Sequence, residues 1–167
     1  MPDRHAHCPF CGARFEPGRP WPRRCTACGE TSYLNPSPVA VALQPVGTGL
    51  LAVRRGIAPA RGRLALPGGF VEQGETWQAA AVRELGEETG VVADPEGVRL
   101  FDTISAPDGT ILIFGLLPPL AGPLPPVPDT TETLGREVLD GPAELGFSIH
   151  TTIANRWFAR SGGDVPR

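Results

Sequence analysis

The chain contains no lysine: all 15 of its basic residues are arginine. That absence reads as a compositional bias and excludes no function. Other absences restrict more. No uncharged apolar stretch approaches the ~20 residues of a membrane-spanning helix, and residues 1–10 lack the apolar core of a secretory signal. No tract repeats, so the 21 glycines and 20 prolines among 167 residues do not amount to low-complexity disorder. With 41% apolar residues, the expectation is a soluble, cytoplasmic, loop-rich globular protein of one ordinary domain and a small appendage. A net charge of −3 argues against broad electrostatic binding to nucleic acid or to a membrane.

That small net charge hides a local separation. Residues 72–96 hold seven acids (Glu72, Glu75, Glu84, Glu87, Glu88, Asp94, Glu96) against Arg83 alone, a balance of −6. Just upstream, Arg54, Arg55, Arg61 and Arg63 give +4 within ten residues that contain no acid. Adjoining acidic and basic zones suit a divalent metal beside a phosphorylated ligand.

Cysteine is confined to the first 28 residues, as Cys8-Pro-Phe-Cys11-Gly and Cys25-Thr-Ala-Cys28-Gly. Two facing Cys-x-x-Cys turns supply the four thiolates of a closed tetrahedral Zn²⁺ site, and a reducing compartment favours metal over two disulfides. A segment of about 30 residues buries too little apolar area to fold unaided, so the metal would supply the missing free energy. The expected division is a zinc ribbon at residues 1–35 and a larger domain at 36–167. Arg14, Arg19, Arg23 and Arg24 alternate with Phe10, Phe15, Trp21 and Tyr33, a mixture able to stack on single strands. Asp3, Glu16 and Glu30 dilute it, so a solvated structural ribbon is preferred to a nucleic-acid partner. Homodimerisation through the ribbon is a third reading. His5 and His7 are expected to be solvated.

In the larger domain, residues 39–46 and 49–54 read as strands joined by a turn near Gly47. Pro67-Gly68-Gly69 permits a sharp bend before a helix from about Thr76 to Thr89, closed by Gly90. Glu84, Glu87 and Glu88 share one helical face, where like charges repel by a few tenths of a kcal/mol per pair, and Gly86 costs about 1 kcal/mol relative to alanine. Stability alone would not select that face, and basic partners at four-residue spacing are missing. Clustered hard oxygens instead suit Mg²⁺ or Mn²⁺ with substrate phosphate completing the coordination.

Gly69, Glu75, Arg83-Glu84-Leu85, Glu87-Glu88 and Gly90-Val91 resemble the signature box of the Nudix hydrolases at all nine named positions, with both gaps correct, across 23 residues. The resemblance implies an α/β fold, an α/β/α sandwich with a mixed sheet, and hydrolysis of a nucleoside diphosphate linked to a second group. It implies that Glu84, Glu87 and Glu88, helped by the Gly68 carbonyl, hold the divalent ions. Arg83 would orient the carboxylates and Glu75 would brace the loop-helix junction. It also suggests a catalytic base on a later loop, with Glu132 ranked before Glu137. Arg55, and next Arg54, would clamp the diphosphate.

A cysteine ribbon ahead of such a domain is similar to two groups. Cys25-Thr-Ala-Cys28-Gly-Glu-Thr-Ser-Tyr-Leu-Asn-Pro resembles the ribbon of ADP-ribose/FAD pyrophosphatases. The alternative is an NADH pyrophosphatase or RNA NAD-decapping enzyme, whose Ser-Gln-Pro-Trp segment is missing from residues 100–117. A non-catalytic nucleotide sensor is disfavoured because all three carboxylates are retained. Residues 118–128, six prolines in eleven and no charge, are expected to form a semi-rigid connector or lid. A terminal helix is expected at 151–160 with Ile153, Trp157 and Phe158 inward, and His150 at its start as a cap or surface residue.

Overall fold

In the computed structural model, which describes residues 5–161, the chain divides into two units, Met1–Pro36 and Ser37–Arg167. The first is built on two turns of one design. Cys8 N–H donates to Ala13 O and Gly12 N–H to Cys8 O, at 2.8 and 2.9 Å; Cys25 N–H donates to Glu30 O and Gly29 N–H to Cys25 O at the same two distances. A two-residue ladder, β1 (Arg23–Arg24) against β2 (Thr31–Ser32), follows the second turn. Phe15 is buried with Cys8 and Cys25, and Trp21 packs against them. The Arg23 guanidinium lies 4.4 Å from the Trp21 ring centroid, and the His5 ring, exposed as expected, meets Trp21 edge-on.

The second unit runs β3 (Ser37–Leu43), β4 (Pro45–Val46), β5 (Gly49–Arg55), β6 (Leu64–Ala65), β7 (Gly68–Phe70), α1 (Trp77–Thr89), a single 3-10 turn at Pro95–Gly97, β8 (Arg99–Ser105), β9 (Thr110–Leu116), β10 (Thr133–Leu139) and α2 (Ser148–Ser161). One sheet is mixed, in the order β7-β3-β9-β8, with β3 and β9 parallel and the other pairs antiparallel. The other is antiparallel: β5 pairs with β10, and with the short β4 and β6.

Strand parity places the helices. Successive strand residues face opposite sides of a sheet. Val41 and Leu43 of β3, with Leu50 and Ala52 of β5, join Ile153, Ala154 and Trp157 of α2 in one buried cluster. The intervening Ala42 and Leu51 pack with Leu85 of α1, and Ala40 packs with Ala80 and Ala81. The two helices therefore cover opposite faces, giving the α/β/α layering. Small residues at 40, 42, 80 and 81 let α1 lie close to β3, which brings its carboxylate face against the glycine loop.

Each end of α1 is capped by its own sequence. Thr76 Oγ1 accepts from Ala79 N–H at 3.2 Å, and Gly90, at φ 76°, donates its N–H to Gly86 O. A side chain at Gly90 would meet the carbonyl of Pro126, so the left-handed cap also seats the proline connector. Arg136 of β10 donates to Thr89 O at the helix end and to Pro125 O in the connector. Gln44, fully buried, donates to Pro45 O and Pro118 O, and Leu120 N–H donates to Pro45 O. Residues 118–128 are thus tied down at both ends although they form no strand or helix.

Gly86 is the weak point of α1. A Cβ there would find its nearest neighbour, Val91 O, at an ordinary 3.6 Å. Gly86→Ala is therefore expected to raise stability by about 0.5–1 kcal/mol through helix propensity, read as an increased Tm.

Candidate active site

Arg83 organises the carboxylate face. Its Nε and one terminal nitrogen donate to the two oxygens of Glu75, at 3.3 and 2.8 Å. The other terminal nitrogen donates to Glu84 Oε1 at 2.8 Å and Glu87 Oε2 at 3.3 Å, and a further bond reaches Phe70 O at 3.0 Å. Glu75 in turn accepts the Glu72 N–H at 2.7 Å. One planar cation therefore spans the loop, the helix start and two carboxylates of the acidic face, a role suited to a guanidinium and not to an ammonium.

The three glutamates differ in environment. Glu88 is buried, and its Oε2 accepts the Gly68 N–H at 3.0 Å. Burial pushes its carboxyl up to about 7, against the pull of that N–H, with the charges of Glu84 and Glu132 adding and that of Arg55 opposing. Burial likewise raises Glu84, although Arg83 pulls the other way. Glu87 is more open, with a side chain 60% exposed. Gly69 packs on Glu84 so closely that a Cβ would overlap its carboxylate. This like-charged set, buried at Glu88 and open at Glu87 and served by one arginine, has the chemistry of a hard-cation site.

Among the described residues, the tightest convergence of ligand atoms is elsewhere. The sulfurs of Cys8, Cys11, Cys25 and Cys28 all lie within 4.8 Å of one another, with Cys8–Cys28 and Cys11–Cys25 both at 3.7 Å. Four thiolates at a Zn–S distance of about 2.3 Å would stand ~3.8 Å apart, whereas a disulfide requires ~2.05 Å. The quartet fits a tetrahedral metal. Backbone N–H groups of Cys28 and Ala27 pull the Cys25 thiol down to about 7, while, against the pull of the Glu30 N–H, burial and the three neighbouring sulfurs push the Cys28 thiol up to about 12.

The candidate clamp residues part company. Adjacent on β5, Arg54 and Arg55 point to opposite sides. Arg54 pairs with Glu137 and donates to Gly62 O at 2.7 Å. Arg63 pairs with Glu144. Arg55 lies over the Phe147 ring at 5.1 Å and lines a cavity of about 530 Å³ that also touches Gly68, Gly69 and Phe70. Of the two later glutamates, Glu137 is held by Arg54, while Glu132 lies near enough for its charge to raise both Glu84 and Glu88. Its backbone carbonyl accepts the Gly56 N–H at 2.6 Å, linking the Glu132 loop to the end of β5.

His150 departs from expectation. α2 begins at Ser148, three residues before the predicted start, so the ring lies within the first turn and is only 7% exposed. Its Nδ1 accepts the Leu66 N–H at 3.2 Å. Phe147 and His150 are three residues apart, a spacing that puts two rings on one helical face and could have marked them as a pair.

The NUDIX domain profile matches residues 34–145. The chain belongs to the Nudix family. It is 41% identical over 76 residues to an ADP-ribose pyrophosphatase of Methanocaldococcus jannaschii, a match covering 46% of this chain and 44% of that protein. It is 30% identical over 155 residues to the NAD-capped RNA hydrolase NudC of Deinococcus radiodurans, covering 90% of this chain and 50% of that one. The chain thus spans about half the length of the curated relatives it matches. The crystal structure of a Nudix hydrolase from Nitrosomonas europaea superposes with a TM-score of 0.73 at 26% identity, over 94% of this chain and 93% of that one. Among the described residues, no helix is long and apolar enough to cross a membrane.

Burial, with a smaller contribution from the Arg55 charge, pulls His150 down to about 4 from its ordinary 6.5. Because the folded state resists protonation, the associated stability is complete above pH 6.5 and is lost as pH falls through 4. Wild-type stability minus that of His150→Gln, measured by denaturant unfolding, is expected to drop by on the order of 3 kcal/mol across that window.

Proposed function

We propose that this Nudix protein is a divalent-metal-dependent hydrolase that cleaves a nucleoside diphosphate linked to a second group, with ADP-ribose or FAD as substrate, releasing AMP and a phosphate monoester. The observation that carries the reading is the Arg83-centred carboxylate set, with Glu88 buried against Gly68 and the charge of Glu132 near enough to raise it. Bound Mg²⁺ or Mn²⁺ would neutralise the diphosphate and acidify a water. Glu84, Glu87 and Glu88 are the proposed ligands, with the Gly68 carbonyl beside them. Arg83 keeps the carboxylates in place before any ligand arrives, so little reorganisation is needed. Glu132 is the proposed acceptor of the attacking water's proton, a reading supported by the reach of its charge to Glu84 and Glu88. Arg55, at the cavity wall, is the proposed contact to the diphosphate, whereas Arg54 is committed to Glu137.

The relative named ADP-ribose pyrophosphatase supports the first substrate choice. A second reading, hydrolysis of NADH or NAD-capped RNA, is favoured by the NudC relative, whose match extends over 155 residues. The cysteine quartet is assigned to a structural Zn²⁺ on its sulfur spacing.

In the presence of Mg²⁺ or Mn²⁺, the full chain is expected to release AMP from ADP-ribose or FAD faster than from NADH or NAD-capped RNA, read by product chromatography. Glu87→Gln should cut kcat by roughly 100-fold or more while the fold, read by circular dichroism, persists. Undiminished turnover in that variant would remove Glu87 from the metal site; preference for NADH would select the second reading.

Metal analysis provides a separate check on the first unit. One zinc per chain is expected, falling to none in Cys25→Ser, with the hydrolase unit still folded.

A further inference from the structure

The cavity beside the glycine loop is lined by a buried imidazole, one of whose ring nitrogens has no hydrogen-bond partner among the described residues. His150 Nδ1 accepts the Leu66 N–H, so that nitrogen carries a lone pair and, in the neutral ring, the hydrogen resides on Nε2. Nε2 has no hydrogen bond among the described residues, and it is not one of the fully occluded unpartnered atoms. Its remaining surface therefore opens into the cavity that His150 lines. Phe114 and Phe147 fix the ring direction, at centroid distances of 5.9 and 5.1 Å. The low pKa keeps the imidazole neutral throughout the physiological range, so the donor is permanent.

The other walls select what this donor meets. Val39, Val41, Leu66 and Leu112 are apolar, and Phe70 and Phe147 supply aromatic surface. A diphosphate would be poorly solvated against them and belongs at the Arg55 wall of the cavity, toward Gly68 and the carboxylate face. A planar heteroaromatic ring has apolar faces for these walls and an in-plane nitrogen or carbonyl oxygen for the donor. We propose that the cavity binds a heteroaromatic ring of the substrate and that His150 Nε2–H donates to an in-plane acceptor on it, making His150 a specificity-determining residue. This rests on the nucleoside-diphosphate reading above. Two ends of the substrate carry such a ring, the nucleobase and a flavin or nicotinamide in the second group, and the test separates them.

The test compares wild type with His150→Phe and His150→Gln on ADP-ribose, its 1-deaza, 3-deaza and 7-deaza adenine analogues, FAD and NADH. If the ring is the base, one deaza analogue loses about tenfold or more in kcat/KM with wild type, mainly through KM, and His150→Phe no longer distinguishes it. His150→Gln, which keeps an N–H donor, retains part of the discrimination. If the ring belongs to the second group, the deaza analogues behave alike and His150→Phe selectively loses FAD or NADH relative to ADP-ribose. An equal effect of His150→Phe on every substrate, with no deaza discrimination by wild type, overturns the proposal. Should wild type hydrolyse none of these compounds, the catalytic reading fails, and calorimetry with AMP, its deaza analogues, FMN and NMN decides the ring site independently. Binding that is blind both to the deaza changes and to His150→Phe then overturns it.

Discussion

The carboxylate face of this protein depends on the guanidinium of Arg83. Without a cation of fixed shape, Glu75, Glu84 and Glu87 would separate, because like charges gathered on one group repel and the helix offers them no other basic neighbour. Burial strengthens the constraint: Glu84 is 14% exposed at its side chain and Arg83 only 28%, so water can replace little of what the arginine provides. The same group also holds Phe70 O, fixing the last residue of β7 to the helix. Loop, helix and carboxylates are consequently one rigid object.

Around that object the fold places two supports that act at a distance. Alanines at 40, 42, 80 and 81 permit the close approach of α1 to β3, which sets the depth at which Glu88 meets Gly68. Arg136 joins the C-terminal end of α1 to the proline connector and lies on the strand that carries the Glu132 loop. The connector thus forms part of the frame of the site. Its proline content lowers the entropy lost on ordering, and its carbonyls find donors in Arg136 and Gln44.

Periodicity made much of this legible in the sequence. The carboxylate face followed from residues at i, i+3 and i+4, the helix limits from Thr76 and Gly90, and the cysteine quartet from the spacing of its two pairs. Strand parity was the underused signal: Arg54 and Arg55 are neighbours on β5, so one alone could line the cavity. What remained hidden depends on contacts between distant segments. Arg136 is an isolated arginine on a strand, and nothing near it in sequence indicates two carbonyl partners, one of them 47 residues away. His150 was obscured because a lone histidine near a helix start resembles a cap. Its burial arises only when β6 and the following Leu66 pack beneath the first turn of α2.

The glycines at 69 and 90 extend these constraints into tolerance to change. At 69 any side chain would occupy the place of the Glu84 carboxylate, and at 90 it would collide with Pro126 O while straining a left-handed backbone. Neither residue has a functional group. In an exhaustive substitution library they would nonetheless be as intolerant as the glutamates, and a survey that equates intolerance with chemistry would count two residues without side chains among the catalysts.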